Sequence, residues 1–261
     1  MTLRWRLPVL AVLGIAALMT AGCGLYARLP VVGEVGVSSG SGSGDATPQP
    51  AATIDSLASL QDAYVRAVDR VGPSVVEIET SSALGSGVVL DTRGDIVTNA
   101  HVVGKAHSFL ITDASGKQYH ATLVGTDPSQ DLAVVRVSSG HLRPATMADS
   151  EQVQVGELVL AIGCPLGLQS SVTSGIVSAV NRSATESGPG SEQGVKLRGM
   201  VQTSAPINHG NSGGALIDLN GDVIGIPTLG EEDPESGDDA AGIGLAIPSN
   251  QVKTVAQKLI G

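Results

Sequence analysis

Ile207-Asn208-His209-Gly210-Asn211-Ser212-Gly213-Gly214-Ala215-Leu216, INHGNSGGAL, holds one serine in a turn of small and polar residues. Residues Gly210 to Gly214 satisfy two patterns at once, G-x-S-x-G and G-[DN]-S-G-G. Both present a serine hydroxyl on a tight turn, where glycine lets backbone approach the group under attack. The first pattern sits at a strand-to-helix turn of a parallel α/β sheet. The second sits in all-β barrels. The choice between them is a choice of fold.

Residue order makes that choice. A serine is a weak nucleophile near neutral pH and needs a histidine base, itself oriented by a carboxylate. The histidines are His101, His107, His120, His141 and His209, and all precede Ser212. The α/β-hydrolase order of serine, acid, histidine is therefore impossible with this serine. His-Asp-Ser and Asp-His-Ser remain. His101 follows an apolar run in Thr98-Asn99-Ala100-His101-Val102-Val103, and Asp131 opens another in Asp131-Leu132-Ala133-Val134-Val135. A carboxylate at the mouth of a buried strand can sit against a histidine at a barrel edge. His101, Asp131 and Ser212 satisfy the first order.

The strand pattern agrees. After an amphipathic helix expected over Ser56–Val71, with Leu57, Leu60, Tyr64, Val68 and Val71 on one face and Asp55 or Ser56 at its cap, Gly72-Pro73 ends the helical period. Six β-rich runs follow: 74–79, 87–90, 96–98, 108–112, 118–124 and 132–137. A second set of six covers 157–162, 171–180, 196–202, 215–218, 222–227 and 243–247. Asp91–Asp95 and Asn220-Gly221-Asp222 read as hairpin turns. The chain closes with a helix from Pro248 to Ile260. Two sets of six short strands, without alternating long helices, predict two barrels or sandwiches rather than a parallel sheet.

Composition sets the outer limits. Of 261 residues, 42 % are hydrophobic and 15 % charged, enough apolar content for a core and too little charge for wholesale disorder. A formal charge of −10 and no Lys/Arg cluster argue against nucleic-acid binding. Residues 1–23 read as an export signal: Arg4 and Arg6, then an apolar run from Leu7 to Met19, then Thr20-Ala21-Gly22-Cys23. That last tetrapeptide resembles a lipobox, which makes Cys23 the lipidation candidate. Residues 24–54, with alternating Gly/Ser and Thr47-Pro48-Gln49-Pro50, read as a flexible linker. Cys164 reads as a small buried hydrophobe.

TNAHVV, DLAVV and INHGNSGGAL resemble the HtrA/Deg family of trypsin-like serine proteases. Gly85-Ser86-Gly87-Val88, Ala161-Ile162-Gly163, the run Ser171 to Ser178 and the run Gly242 to Pro248 match in register, so the resemblance covers about Ser56 to Gly261. It implies an all-β fold, a chymotrypsin-like double six-stranded β-barrel with an N-terminal and a C-terminal helix. The protease domain would cover 55–261, with barrels at about 73–148 and 152–248. His101 would be general base and then general acid, Asp131 would fix the imidazole tautomer, and Ser212 would form the acyl-enzyme. The oxyanion hole would use backbone N–H groups of Gly210 and Ser212, with Asn211 between them. Pro206, Ile207, Ile226, Pro227 and Thr228 would bind substrate.

The resemblance further implies no cofactor and no metal. The partners would be unfolded or flexible protein substrates. The protein would be exported, either tethered through Cys23 or an N-terminal anchor to the outer face of a bacterial cytoplasmic membrane or placed in the periplasm. A homotrimer is the assembly to test, although family trimers often rely on N-terminal aromatic residues and this chain is 2 % aromatic. PDZ-mediated substrate delivery is not expected, since Gly261 follows the terminal helix.

Several residues depart from the family. Ser204 stands where Asp is usual, His209 where Pro or Arg is usual, and Cys164 and Pro227 where Asn is usual. Pro206 lies six residues before Ser212, where trypsins carry the acid that selects Arg or Lys, so small aliphatic P1 residues are expected. Asn211 replaces the aspartate that trypsins pair with a new N-terminus, so activation by that salt bridge is not expected. The acidic run 231–239 reads as a solvated loop, and 181–194 as a second loop. His209 reads as part of the turn and not as a base, and His107, His120 and His141 as surface or strand residues. A proteolytically silent chaperone or peptide-binding module of the same fold is the competing reading.

Overall fold

The computed structural model describes residues 53–81, 83–138, 142–164, 171–186, 195–208, 210–228 and 242–261. The signal and lipobox region with Cys23, most of the linker, His141, His209 and the acidic run 231–239 lie outside the described residues.

Helix α1 spans Thr53–Val71. It begins earlier than an Asp55 or Ser56 cap would place it, because a cap shifts a helix end by only about 1 kcal/mol. The predicted apolar stripe is buried only in its C-terminal half. Leu57 is 68 % exposed, whereas Ala67 and Val71 are buried and Tyr64 and Val68 pack partly against the core. Arg70 donates to the Asn220 carbonyl at 2.8 Å and to the Asp222 carboxylate at 3.0 Å, tying the helix end to a later hairpin. A short 3-10 turn, Gly72–Ser74, then leads into the first strand.

The first barrel closes from β1 Val75–Glu79, β2 Leu84–Val89, β3 Asp95–Thr98, β4 Ser108–Thr112, β5 Gln118–Asp127 and β6 Leu132–Val137. Around the barrel the order is β1-β2-β3-β6-β5-β4, all neighbours antiparallel. Helix α2, Ala100–Val103, follows β3. The second barrel uses β7 Leu158–Gly163, β8 Ser171–Glu186, β9 Val195–Thr203, β10 Ala215–Ile217, β11 Val223–Pro227 and β12 Gly244–Pro248. Its order, β10-β11-β12-β9-β8-β7, mirrors the first in its path. Closure removes the free edges that open sheets expose.

Both predicted hairpin turns form, and for the expected reason. Asp91 Oδ1 accepts from the amides of Arg93 and Asp95, and Asp218 Oδ1 accepts from those of Asn220 and Asp222. Each aspartate thus replaces backbone partners inside its turn.

Two expectations change. Strand β2 starts at Leu84, so Gly85-Ser86 lies within a strand instead of before one. Strand β8 runs on to Glu186, well past the predicted end at Val180. The predicted loop start, Asn181, adopts φ 58, and the β8–β9 register shifts between Ala179 and Arg182. Asn181 thus lies at a bulge, where asparagine tolerates the left-handed conformation. Read locally, that is indistinguishable from a turn.

Among the described residues, buried side chains form three clusters. One fills the first barrel around Ile78, Ile96, Ile111 and Val135, and one lies in the second around Val159, Val201, Leu216 and Ile224. The third is shared: Val75, Val88, Val97 and Leu132 from the first barrel meet Leu160, Ile162, Ala215 and Ile247 from the second. Helix α3, Ser249–Ile260, leaves the second barrel and adds Val252 and Val255 to this shared core. Each such side chain contributes about 1.5–3 kcal/mol by leaving water. The seam between barrels is therefore packed, and groups placed on it are held from both sides.

Candidate active site

His101 and Asp131 come together from separate elements of the first barrel. His101 lies in α2, directly after β3. Asp131 ends a 3-10 turn, Pro128–Gln130, and precedes β6 with φ 48 and ψ 43. That left-handed conformation is unfavourable for a residue with a Cβ. Here it is held: the buried Asn99 side chain donates to the Asp131 carbonyl at 3.0 Å. The carboxylate is 4 % exposed and receives three donors. The His101 amide bonds Oδ1 at 3.0 Å, the His101 ring Nδ1 lies 2.9 Å from Oδ2, and the Thr228 hydroxyl donates to Oδ2 at 2.9 Å. An ionised carboxylate only accepts, so the ring proton sits on Nδ1 and leaves Nε2 as the basic nitrogen of neutral His101.

Ser212 comes from the second barrel, between β9 and β10, and is 6 % exposed. Its turn is fastened to the first barrel, since the Ser86 amide donates to the Ser212 carbonyl at 3.0 Å. Within the turn the amides divide. Asn211 N–H donates to Asn208, Gly213 N–H to Pro227 and Gly214 N–H to Asn211. The amides of Gly210 and Ser212 have no acceptor among the described residues. Two unspent donors flanking one hydroxyl is the arrangement that can receive a developing oxyanion. Gly210 reaches its place at φ 104, in the region that favours glycine.

Residues 85–226 match the family model described as "Trypsin-like peptidase domain". The chain belongs to the trypsin-like peptidase family. Its relatives are of the HtrA/Deg type. It is 37 % identical to "Serine protease PepD" of Mycobacterium tuberculosis, over 94 % of this chain and 56 % of that one. It is 44 % identical to "Periplasmic serine endoprotease DegP" of Escherichia coli, over 68 % of this chain and 36 % of that one. Among solved structures, "HtrA-type protease AlgW with tripeptide" superposes with a TM-score of 0.66 at 37 % identity, covering 76 % of this chain and 63 % of that one. The chain thus spans about half the length, or less, of the curated relatives named here.

In this trypsin-like domain the other predicted site residues divide by exposure. Pro206 is exposed, and its carbonyl accepts from the Thr173 hydroxyl at 2.8 Å. Ile207 is 7 % exposed and packs in the second-barrel core. Ile226 is fully buried in the shared core, so its side chain cannot touch a substrate and only its backbone is available. Pro227 pairs with Ala246, and its carbonyl is taken by the Gly213 amide. Thr228, read as a substrate-binding residue, gives its hydroxyl to Asp131. Its neighbours in sequence show strand alternation and nothing of that contact, which crosses from one barrel to the other. Cys164 is buried, as its apolar surroundings suggested, and His107 and His120 are exposed.

Gly213 shows how tightly the turn is seated. Its φ is 81, and a Cβ there would lie 2.2 Å from the Ser86 carbonyl oxygen and 2.3 Å from Thr98 Oγ1. Gly213→Ala is expected to lose about 3–4 kcal/mol of stability from left-handed strain plus backbone clash. Denaturant unfolding of the variant checks this, and a loss below about 1 kcal/mol contradicts the packing described.

Proposed function

We propose that this chain is an exported serine endopeptidase that hydrolyses peptide bonds of unfolded or misfolded proteins. The observation that carries the reading is the sorting of donors around Ser212: three turn amides are spent internally, and those of Gly210 and Ser212 are left pointing to one use. The ordered His101–Asp131 pair supplies the base.

Ser212 Oγ attacks the scissile carbonyl carbon, and its proton passes to His101 Nε2. The carbonyl oxygen becomes an oxyanion held by the Gly210 and Ser212 amides. Imidazolium is stabilised by the Asp131 carboxylate. His101 then returns the proton to the leaving amine as the C–N bond breaks, which leaves an ester on Ser212. Water, deprotonated by the same nitrogen, attacks the ester; the bond to Ser212 Oγ breaks as His101 returns the proton to Oγ, and the acid is released. Exposed Pro206, where trypsins carry an acid, fits small aliphatic P1 side chains better than Arg or Lys.

Export accords with the periplasmic naming of DegP. Acylation at Cys23, with residues 24–54 as linker, would hold the domain near the outer face of the cytoplasmic membrane. The homotrimer belongs to the same reading and is tested by light scattering on the intact protein. A silent peptide-binding module would have no use for an ordered His–Asp pair beside two open amides.

A fluorophosphonate probe tests the reading. The intact chain should be labelled stoichiometrically, with the adduct mapped to the tryptic peptide that contains Ser212. Absence of label under conditions that saturate trypsin sinks the proposal.

A further inference from the structure

We propose that Ser86 is a positioning residue for the oxyanion site: its hydroxyl sets the orientation of the Gly210 peptide. The inference rests on the reading that the Gly210 and Ser212 amides receive the oxyanion.

Ser86 is completely buried in β2, a strand of the first barrel. Its hydroxyl donates to the Gly210 carbonyl at 2.5 Å and accepts from the Cys164 amide at 2.8 Å. The direction of the relay is unambiguous, since an amide N–H only donates and a carbonyl only accepts. The same residue's backbone holds the other end of the segment, because its amide bonds the Ser212 carbonyl at 3.0 Å. Ser86 itself is held by the Thr98 hydroxyl, which donates to the Ser86 carbonyl at 2.7 Å. One residue of the first barrel thus grips the carbonyls at both ends of Gly210-Asn211-Ser212.

The grip matters because Gly210 has little restraint of its own. Without a Cβ it can rotate between conformations closed to other residues. The Gly210 carbonyl shares one rigid plane with the Asn211 amide, so turning it moves the Cα atoms at both ends of that plane, and with them the two neighbouring peptides that carry the Gly210 and Ser212 amides. From below, β7 closes the space: a Cβ on Gly163 would fall 2.8 Å from the Gly210 oxygen and 2.6 Å from Asn211 Cα. The carbonyl is enclosed between that strand and the Ser86 hydroxyl. Removing the hydroxyl takes the donor from the half-buried Gly210 carbonyl and this acceptor from the Cys164 amide. Such groups reorient toward any available water.

An oxyanion contact is made in the transition state and is nearly absent with bound substrate. Its loss therefore lowers kcat with little effect on KM. Full loss of one donor lowers the rate by about 10²–10³. Misdirecting it through Ser86→Ala is expected to lower kcat by about 10–100-fold per active site, with KM for a peptide substrate within about twofold. Active sites are counted by fluorophosphonate labelling carried to completion, so loss of folded protein does not register as loss of kcat. A peptide boronate, which places a charged oxygen in the same site, should weaken in parallel with kcat. Unchanged kcat per titrated site overturns the inference, and so does a rise in KM alone.

If Ser86→Ala does not fold, the wild-type chain decides. A crystal structure with a peptide boronate should keep the Gly210 carbonyl on Ser86 Oγ while the boronate oxygen lies on the Gly210 amide. A bound boronate oxygen with that carbonyl turned away from Ser86 rejects the inference. Failure of the wild-type chain to label rejects the underlying function. Labelling and hydrolysis unchanged by Ser86→Ala reject only the role given to Ser86.

Discussion

Ser212→Ala is expected to lower peptide hydrolysis by the intact chain about 10⁶-fold while shifting Tm by no more than about 2 °C. The two halves of this expectation have different origins. Stability should be retained because the contacts that seat the turn are made by backbone. Ser86 N–H still bonds the residue 212 carbonyl, Gly213 N–H still bonds Pro227, and Gly214 N–H still bonds Asn211. On the proposed mechanism activity should fall because Ser212 Oγ is the nucleophile, and no water placed by chance replaces a tethered one. The residual rate is that of the oxyanion amides and substrate binding acting on water. Kinetics with a fluorogenic peptide, beside a thermal melt of the same sample, give both numbers. Retention of more than about 1 % of wild-type activity would mean another nucleophile. The thiol to examine first is Cys164, whose amide lies on Ser86 next to this turn.

Asp131→Asn is expected to lower kcat about 10⁴-fold with nearly unchanged folding, and the local geometry states why. The carboxylate oxygens are not equivalent. Oδ1 accepts the His101 backbone amide, a pure donor, so an asparagine must place its carbonyl oxygen there. Its NH₂ is then forced into the Oδ2 position, facing His101 Nδ1 and the Thr228 hydroxyl. The hydroxyl can turn and accept, but Nδ1 must lose its proton to accept the other N–H. The ring proton moves to Nε2, and the nitrogen that should take the Ser212 proton already carries one. Measurement of kcat against pH should show little recovery up to about pH 9, because the defect is a tautomer and not a charge deficit. Activity within tenfold of wild type would show that Asp131 does not set the tautomer.

Much of this was legible in the chain. Five histidines before one serine excluded the α/β-hydrolase order, and two sets of six short runs indicated two barrels or sandwiches, which the structure closes into barrels. The Asp91 and Asp218 turns were readable because their hydrogen bonds close within four residues. Where reading failed, the signal was local but its meaning was not. Asn181 looks like a turn residue and lies at a bulge inside β8, since the pairing strand β9 continues past it. Leu57 has helical spacing and stays exposed, because periodicity marks a face without saying how far the partner surface extends.

The sequence by itself determined the class of fold, the order of His101, Asp131 and Ser212, and the turn that carries the serine. Those follow from residue order, alternation and turn chemistry, which operate over a few residues. Only the tertiary structure decided that the Thr228 hydroxyl serves Asp131, that Ile226 is core, and that Ser86 holds the carbonyls at the two ends of the Gly210–Ser212 segment. The bonds that Thr228 and the Ser86 hydroxyl make join residues 97 and 124 positions apart, from opposite barrels. A side-chain hydrogen bond exists only within about 3 Å, and that separation is set by how the shared apolar core brings the two barrels together.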